Sequence, residues 1–326
     1  MSELMVIGCG GTGINIMKDM IEAPGTRILK EAQYLAFDSS DSNSSDGKFE
    51  VLHMNSAKNP GQKAQGSGKD VTLNFENHAP FIAESFKVRK PGKFCIVIMS
   101  CAGGTGSGQG FAVLRYLLSR GIPTVGLFVQ DHTSLVERRN STKIMLSISN
   151  QVQERFLGKV IPHVRIINDE RTRREINDEA VLNLNYLSLF LTESNEELDF
   201  EDISNTLQYS KVTGLPPALS EINFLTDKAI DTYTGKPPVS FATLFDHRDN
   251  ARPLFKDAAY RATGVINPDN NPPKADVVVM MLDHGEAVQK LKVELEELDT
   301  AQQKAKSTFV KQEDLSSNAD DSGFDF

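Results

Sequence analysis

Cysteine is scarce: Cys9, Cys95 and Cys101 are the only three in 326 residues. All lie in or beside strand-like runs and none has the paired spacing of a zinc ligand set, so they read as buried thiols, with neither disulfide nor metal expected. Long apolar runs are missing too. Nothing approaches the roughly 20 residues a membrane helix needs, and the strand pattern Leu4-Met5-Val6-Ile7 begins too early to leave room for a secretory leader. A cytosolic protein with no membrane contact is therefore expected. Basic excess is also absent: the formal net charge is -9. No direct nucleic-acid binding is expected from such a surface, and any polyanion contact must be local. With 39% hydrophobic and 24% charged residues, the chain reads as an ordinary globular protein long enough for about two domains.

The first half alternates β-branched runs with amphipathic stretches. Strands are expected at Leu4–Ile7, Tyr34–Phe37, Phe94–Met99, Thr124–Val129 and Val164–Ile167, with helices near 15–22, 80–86, 109–119 and 137–156. This alternation predicts an α/β fold with a doubly wound parallel sheet, whose ligands gather at the carboxyl ends of the strands. A long helix near 175–193, apolar at Val181, Leu182, Leu184, Leu187, Leu189 and Phe190, reads as buried on more than one face. Beyond it, a helix near 218–232 and strands Val239–Leu244 and Asp276–Leu282 indicate a smaller α+β domain.

Two glycine turns fall at those strand ends. Ala102-Gly103-Gly104-Thr105-Gly106-Ser107-Gly108 joins an apolar strand to a helix. Without Cβ atoms its backbone N–H groups can converge on an anion, and the helix dipole adds to the attraction. No lysine follows, which excludes the GxxxxGK[ST] P-loop. The second turn, Gly8-Cys9-Gly10-Gly11-Thr12-Gly13, matches the dinucleotide fingerprint, and Asp38 ends the second strand where an acid would bind a ribose. An NAD-dependent oxidoreductase is the alternative those residues raise. It leaves 102–108 unexplained, as it does Gly66-Ser67-Gly68, a third cluster before a helix-like region. Three glycine loops at one sheet edge suit a triphosphate better than a pyrophosphate.

Taken together, residues 3–205 resemble the tubulin/FtsZ superfamily. The 102–108 turn is similar to its GGGTG[ST]G signature, with Ala102 in place of the first glycine. The resemblance implies a GTP/GDP site with Mg²⁺, in which Gly10, Gly11, Thr12 and Asn15 form the first phosphate loop. Gly66, Ser67 and Gly68 would sense the γ-phosphate, and Gly103, Gly104, Thr105, Gly106 and Ser107 would form the main cradle. Glu137 would bind the ribose, although Arg138 departs from the family glycine that follows it. Asn168 would contact the nucleoside, and Asn177 or Asp178 the guanine. The run Glu197-Leu198-Asp199-Phe200-Glu201-Asp202 is similar to the catalytic NxDxxD loop, with Glu197 departing from the asparagine, and makes Asp199 and Asp202 the implied catalytic residues. In the superfamily that loop completes the site of a neighbouring subunit, which implies a self-polymerising GTPase with head-to-tail contacts.

The end of the chain resembles the bacteriophage tubulins of the PhuZ type. Val288, Leu291, Leu295 and Leu298 lie at heptad spacing on an acidic helix, a stripe expected to dock on its own domain. The acidic tail that follows carries Asp320, Asp321, Phe324, Asp325 and Phe326, which the resemblance makes a polymer contact docking on a neighbouring subunit; Arg171, Arg173 and Arg174 are one candidate for the receiving patch. That group implies dynamic filaments forming a spindle that positions phage DNA in the host bacterial cytoplasm. A plasmid-segregation filament with a DNA adaptor shares the nucleotide motifs and is the further alternative. The expected organisation is a GTP-binding domain 1–174, a central helix and catalytic loop 175–204, an α+β activation domain 205–283, a C-terminal helix 284–310 and a tail 311–326.

Overall fold

The computed structural model describes residues 3–23, 25–54, 75–154, 156–272, 275–283 and 285–317. In chain order the first half runs β1 (Leu4–Cys9), α1 (Gly10–Glu22), α2 (Arg27–Glu31), β2 (Gln33–Asp38), β3 (Glu50–His53), α3 (Phe75–Val88) and β4 (Phe94–Ser100). It continues with α4 (Gly104–Ser119), β5 (Thr124–Asp131), α5 (Leu135–Asn150), β6 (Ile161–Asn168) and α6 (Arg173–Phe190). The remainder is α7 (Phe200–Leu207), α8 (Ser210–Thr213), β7 (Leu219–Thr226), α9 (Lys228–Thr232), β8 (Ser240–Phe245), β9 (Tyr260–Val265), β10 (Val277–Asp283) and α10 (Gly285–Ser317).

Every residue of β1 is buried. A strand apolar on both faces must be covered on both, and side chains alternate between faces. Leu4 and Val6 accordingly join one core with Ile14 and Met17 of α1 and Leu184 and Leu187 of α6. Met5, Ile7 and Cys9 join the opposite core with Ile82, Val113, Leu117 and Ile148 of α3, α4 and α5. Burial of the three thiols raises their pKa values well above the ordinary thiol range.

The sheet has ten strands in the order β3-β2-β1-β4-β5-β6-β7-β10-β8-β9. From β3 through β7 all pairs are parallel, whereas β10 is antiparallel to both β7 and β8. The two halves of the chain are stitched edge to edge by three residue pairs, Ile161 with Leu219, Pro162 with Ser220 and His163 with Glu221.

Some expectations change. Residues 219–226 form a strand, not the start of a helix over 218–232; only 228–232 is helical. The segment has β6 on one side and β10 on the other, and that pairing outweighs its helix-like spacing. Helix α4 begins at Gly104 instead of 109, so the glycine turn is itself the first helical turn. Helix α6, read as buried on more than one face, has an exception at Leu182, which is 52% exposed. Among the described residues no helix is long and apolar enough to cross a membrane.

Helices α3 and α4 meet where His78, 2% exposed, lies so near Gly108 that a Cβ there would be 2.6 Å from Nε2. Burial pulls the His78 pKa down to about 4. The unfolded imidazole titrates near 6.5, so between those two values the unfolded chain binds the extra proton and stability falls as pH falls. The contribution is up to about 3 kcal/mol, at about 1.4 kcal/mol per unit. Urea unfolding across pH 7 to 4 should show that loss, and His78→Gln should show a shallower slope over the same window. Parallel slopes in the two proteins would remove His78 as its source.

Candidate nucleotide site and a distant acidic loop

Strands β1 and β4 are neighbours in parallel register, Cys9 opposite Met99, so the helices that follow them start side by side. The first four N–H groups of any helix lack intrahelical partners. Thr26, Ser134, Thr172 and Asp199 supply a side-chain acceptor to α2, α5, α6 and α7, while the short α8 and α9 have none. Cys9 and Gly103 give α1 and α4 no such cap, and neither first turn contains an acid. Two sets of backbone donors, each at the positive end of a helix dipole, are thus left for an anion. The two turns touch. Gly10 has φ +66°, and a Cβ on it would lie 2.7 Å from the Cα of Gly106.

The resulting cleft has a volume of about 390 Å³. Gly10, Gly11, Thr12, Gly103, Gly104, Thr105 and Gly106, all expected cradle residues, line it. Sequence reasoning missed the opposite wall, Ser40, Ser42 and Asn43, which follows β2. The run Ser39-Ser40-Asp41-Ser42-Asn43-Ser44-Ser45 was the available signal. Asp38 supports this wall from within: it is 2% exposed, Oδ1 accepts from the Ser39 N–H at 2.7 Å, and Oδ2 accepts from Asn43 Nδ2 at 2.8 Å. Both oxygens are therefore engaged in holding the loop, which leaves them ill placed for the ribose role the NAD alternative requires. The hydroxyls of Ser39 and Thr105 are hydrogen-bonded to each other across the cleft floor.

Other expected residues stand outside this lining. Ser107 is fully buried and its hydroxyl donates back to the carbonyls of Gly103 and Gly104. Asn15 lies half-buried on α1. Glu137, in the first turn of α5, accepts from the hydroxyls of Thr133 at 2.8 Å and Ser134 at 2.7 Å. Asn168 donates to Asp131 Oδ2 at 3.1 Å, across the paired ends of β5 and β6. Asn177 donates to Asp19 of α1, and Asp178 pairs with Arg174. Gly66, Ser67, Gly68, Asp320, Asp321, Phe324, Asp325 and Phe326 lie outside the described residues.

The acidic loop is elsewhere. Helix α6 runs back from the cleft side of the sheet, and the chain after it reaches the opposite ends of the strands. There the Glu193 N–H donates to Glu3 at 3.3 Å, Lys93 pairs with Glu193, and the ring of Phe200 lies 5.6 Å from that of Phe94. Phe94 begins β4 and Ser100, in the cleft wall, ends it. At about 3.3 Å per residue the strand places roughly 20 Å between them. Locally, Asp199 and Asp202 form a capping box for α7: the Asp202 N–H donates to Asp199 Oδ1 at 2.9 Å and the Asp199 N–H to Asp202 Oδ2 at 3.4 Å. Tyr260 adds a hydroxyl bond to Asp202 Oδ1 at 3.2 Å. Asp199 is nevertheless exposed and Asp202 only half-buried.

No family model matches the chain. A phage tubulin-like protein of Pseudomonas phage phiKZ is 24% identical over 273 residues, covering 81% of this chain and 80% of that protein. Among solved structures, a protofilament of TubZ from bacteriophage PhiKZ superposes with a TM-score of 0.77 at 19% identity, over 94% of this chain and 93% of the other. The phage tubulin PhuZ with GDP gives 0.73 at 19%, over 93% of each chain. FtsZ of M. jannaschii gives 0.61 at 13%, over 86% of this chain and 91% of that one. The chain has the tubulin/FtsZ-like fold.

Within this tubulin-like fold the departure at Glu197 has a structural counterpart. Glu197 has φ +62°, a left-handed conformation that asparagine tolerates and longer side chains rarely adopt. Its carboxylate is held 2.9 Å from Arg248, which also contacts Glu196 at 3.0 Å. Of the arginines considered as a tail-receiving patch, Arg171 is already paired with Glu179 and Asp169, and Arg174 with Asp178.

The contact between the two glycine turns makes a direct prediction. Gly10→Ala must both leave the left-handed region and push Gly106 aside, so affinity for a nucleoside triphosphate, measured by equilibrium fluorescence, should fall about tenfold or more. Wild-type affinity in that variant would show that the two turns do not act as one cradle.

Proposed function

We propose that this tubulin-like chain is a GTP-hydrolysing, self-assembling filament protein whose active site is completed between subunits. The observation that carries the reading is the separation of cleft and acidic loop by the length of β4. Asp199 and Asp202 cannot serve the cleft of their own subunit, but a second copy stacked head to tail brings them to it. A heterologous contact of this kind does not close on itself and so grows into a filament. The phage TubZ protofilament and the GDP complex of the phage tubulin PhuZ support carrying assembly and guanine nucleotide to this chain.

The roles follow from what phosphoryl transfer needs: an in-line water, charge neutralisation and a group to orient the nucleophile. The uncapped N–H groups of α1 and α4 receive the phosphates. Asp199 and Asp202 of the adjoining subunit orient and polarise the water. Mg²⁺ favours oxygen ligands and is held by few side chains beside substrate phosphates. Thr12, Ser40, Ser42 and Thr105 offer hydroxyls of that kind around the cleft, and a magnesium ion there would neutralise phosphate charge. Glu137, Asn168 and Asn177 would receive the nucleoside, with Gly66, Ser67 and Gly68 closing on the γ-phosphate. Residues 1–174 form the GTP-binding unit in this reading, 175–204 the helix and loop that span the subunit, and 205–283 the activation unit. The tail, through Asp320, Asp321, Phe324, Asp325 and Phe326, docks on a neighbour. The cellular role is a phage spindle that positions phage DNA in the host cytoplasm.

Light scattering should rise with GTP and not with GDP, and turnover per chain should fall on dilution. Turnover that is independent of dilution would place the whole active site in one subunit. Asp202→Asn keeps a hydrogen-bond acceptor for the α7 cap while removing the charge, so thermal stability should hold while turnover in assembled protein drops about a hundredfold. Unchanged turnover would remove Asp202 from the chemistry. A chain ending at residue 315 should need a higher concentration to assemble while binding nucleotide normally; assembly at the wild-type concentration would end the docking role of the tail.

A further inference from the structure

Near the start of helix α5 four consecutive residues, Glu137, Arg138, Arg139 and Asn140, face different ways, since successive helical side chains are about 100° apart. Glu137 takes the hydroxyls of Thr133 and Ser134. Arg138 and Arg139 reach to α10: Nε and Nη2 of Arg138 each lie 2.7 Å from Glu294 Oε1, and Arg139 pairs with Asp299. Asn140, 8% exposed, donates from Nδ2 to the carbonyl of Ala102 at 3.4 Å. Ala102 opens the glycine turn. A single helical turn therefore links the C-terminal helix, the expected ribose ligand and the phosphate cradle. Arg138 stands where the superfamily resemblance has glycine, and a glycine could make no such pair.

The seat of α10 is uneven. Leu298 is 6% exposed and Leu291 packs against the α4–α5 core. A half-open groove of about 310 Å³ is lined by Val288, Leu291 and Glu294 of α10 and by Met145 and His163. That is on the order of ten times the volume of one water in the liquid. Beside this groove the charged pairs from Arg138 and Arg139 add to the apolar contacts of Leu291 and Leu298. A helix flanked by such a groove has room to shift, and the Arg138 and Arg139 pairs help to fix its present position.

We propose that Arg138 and Arg139 are positioning residues that couple the seat of α10 to the nucleotide cleft. With both ion pairs made, the start of α5 holds Glu137 and the Ala102 carbonyl in place; with them broken, the glycine turn loosens and bound nucleotide leaves faster. Coupling of this kind is reciprocal, so nucleotide also firms α10 on α5. The proposal rests on the reading of the cleft as a guanine-nucleotide site. Exposed ion pairs add little to folding, so the pairs can be cut without unfolding the chain.

The test uses the full chain loaded with a fluorescent GDP analogue and chased with unlabelled GDP, below the concentration for assembly. Glu294→Gln combined with Asp299→Asn lies on α10, away from the cleft, yet should release the analogue about fivefold faster, the low end of ordinary coupling, with an unchanged melting temperature. The charge swap Arg138→Glu with Glu294→Arg should bring release back towards the wild-type rate, and amide exchange in α10 should slow on adding GDP only where the pairs exist. Normal release from the α10 variant, or failure of the swap to restore it, overturns the coupling while leaving the nucleotide site standing. A wild-type chain that takes up no analogue overturns both.

Discussion

Two helix N-termini that share one anion's worth of space are the constraint on which the site depends. Parallel pairing of β1 with β4 sets α1 and α4 side by side, and the approach of Gly10 to Gly106 leaves no volume for a side chain between them. A capping hydroxyl or carboxylate at either start would satisfy the orphan N–H groups and occupy the cleft. Among the described residues the chain caps α2, α5, α6 and α7 with side-chain oxygens, and of its helices longer than five residues it leaves α1 and α4 without one, as it does the short α8 and α9. Uncapped ends cost stability, and here two of them lie side by side at one cleft.

The same strand that aligns the helices also separates the chemistry. Because β4 is fully spanned between the cleft and the ring pair Phe94–Phe200, no rotamer of Asp199 or Asp202 bridges the distance. The capping box at α7 accounts for both acids structurally, yet it also fixes their direction: the acids are held at the protein surface and not folded inward. Capping and catalysis are compatible here, since a cap uses part of each carboxylate and leaves Asp199 facing solvent.

What the sequence disclosed follows from which interactions are local. Strand positions in the first half were legible because parallel strands covered on both faces are continuous apolar runs, and the cradle glycines because no other residue fits where two backbones touch. The wall formed by Ser40, Ser42 and Asn43 was harder to see: serines after a strand are ordinary turn chemistry until Asp38 is found buried and binding that loop together. Residues 219–226 were misread as helix for the opposite reason, since only their two strand neighbours, one from 161–163 and one from 277–283, decide their conformation. Asn177, which with Asp178 the resemblance offered to guanine, also donates to Asp19; a single helix pattern carries no information about which neighbouring helix will hold a polar side chain.

The departures from the superfamily pattern are the positions where this chain most clearly reveals its own physics. At Glu197 a left-handed backbone carries a residue type that rarely adopts it, and Arg248 pairs with the carboxylates of both Glu196 and Glu197, tying the loop to the α+β half of the sheet. At Arg138 a glycine has been exchanged for a side chain that reaches α10. Both replacements add a charge and a long-range partner where the family pattern is locally sufficient. Each ties a loop expected to act on nucleotide to a segment remote in sequence, from 197 to 248 in one case and from 138 to 294 in the other. These ties are ion pairs at the surface, and surface pairs, unlike packed cores, are sensitive to salt.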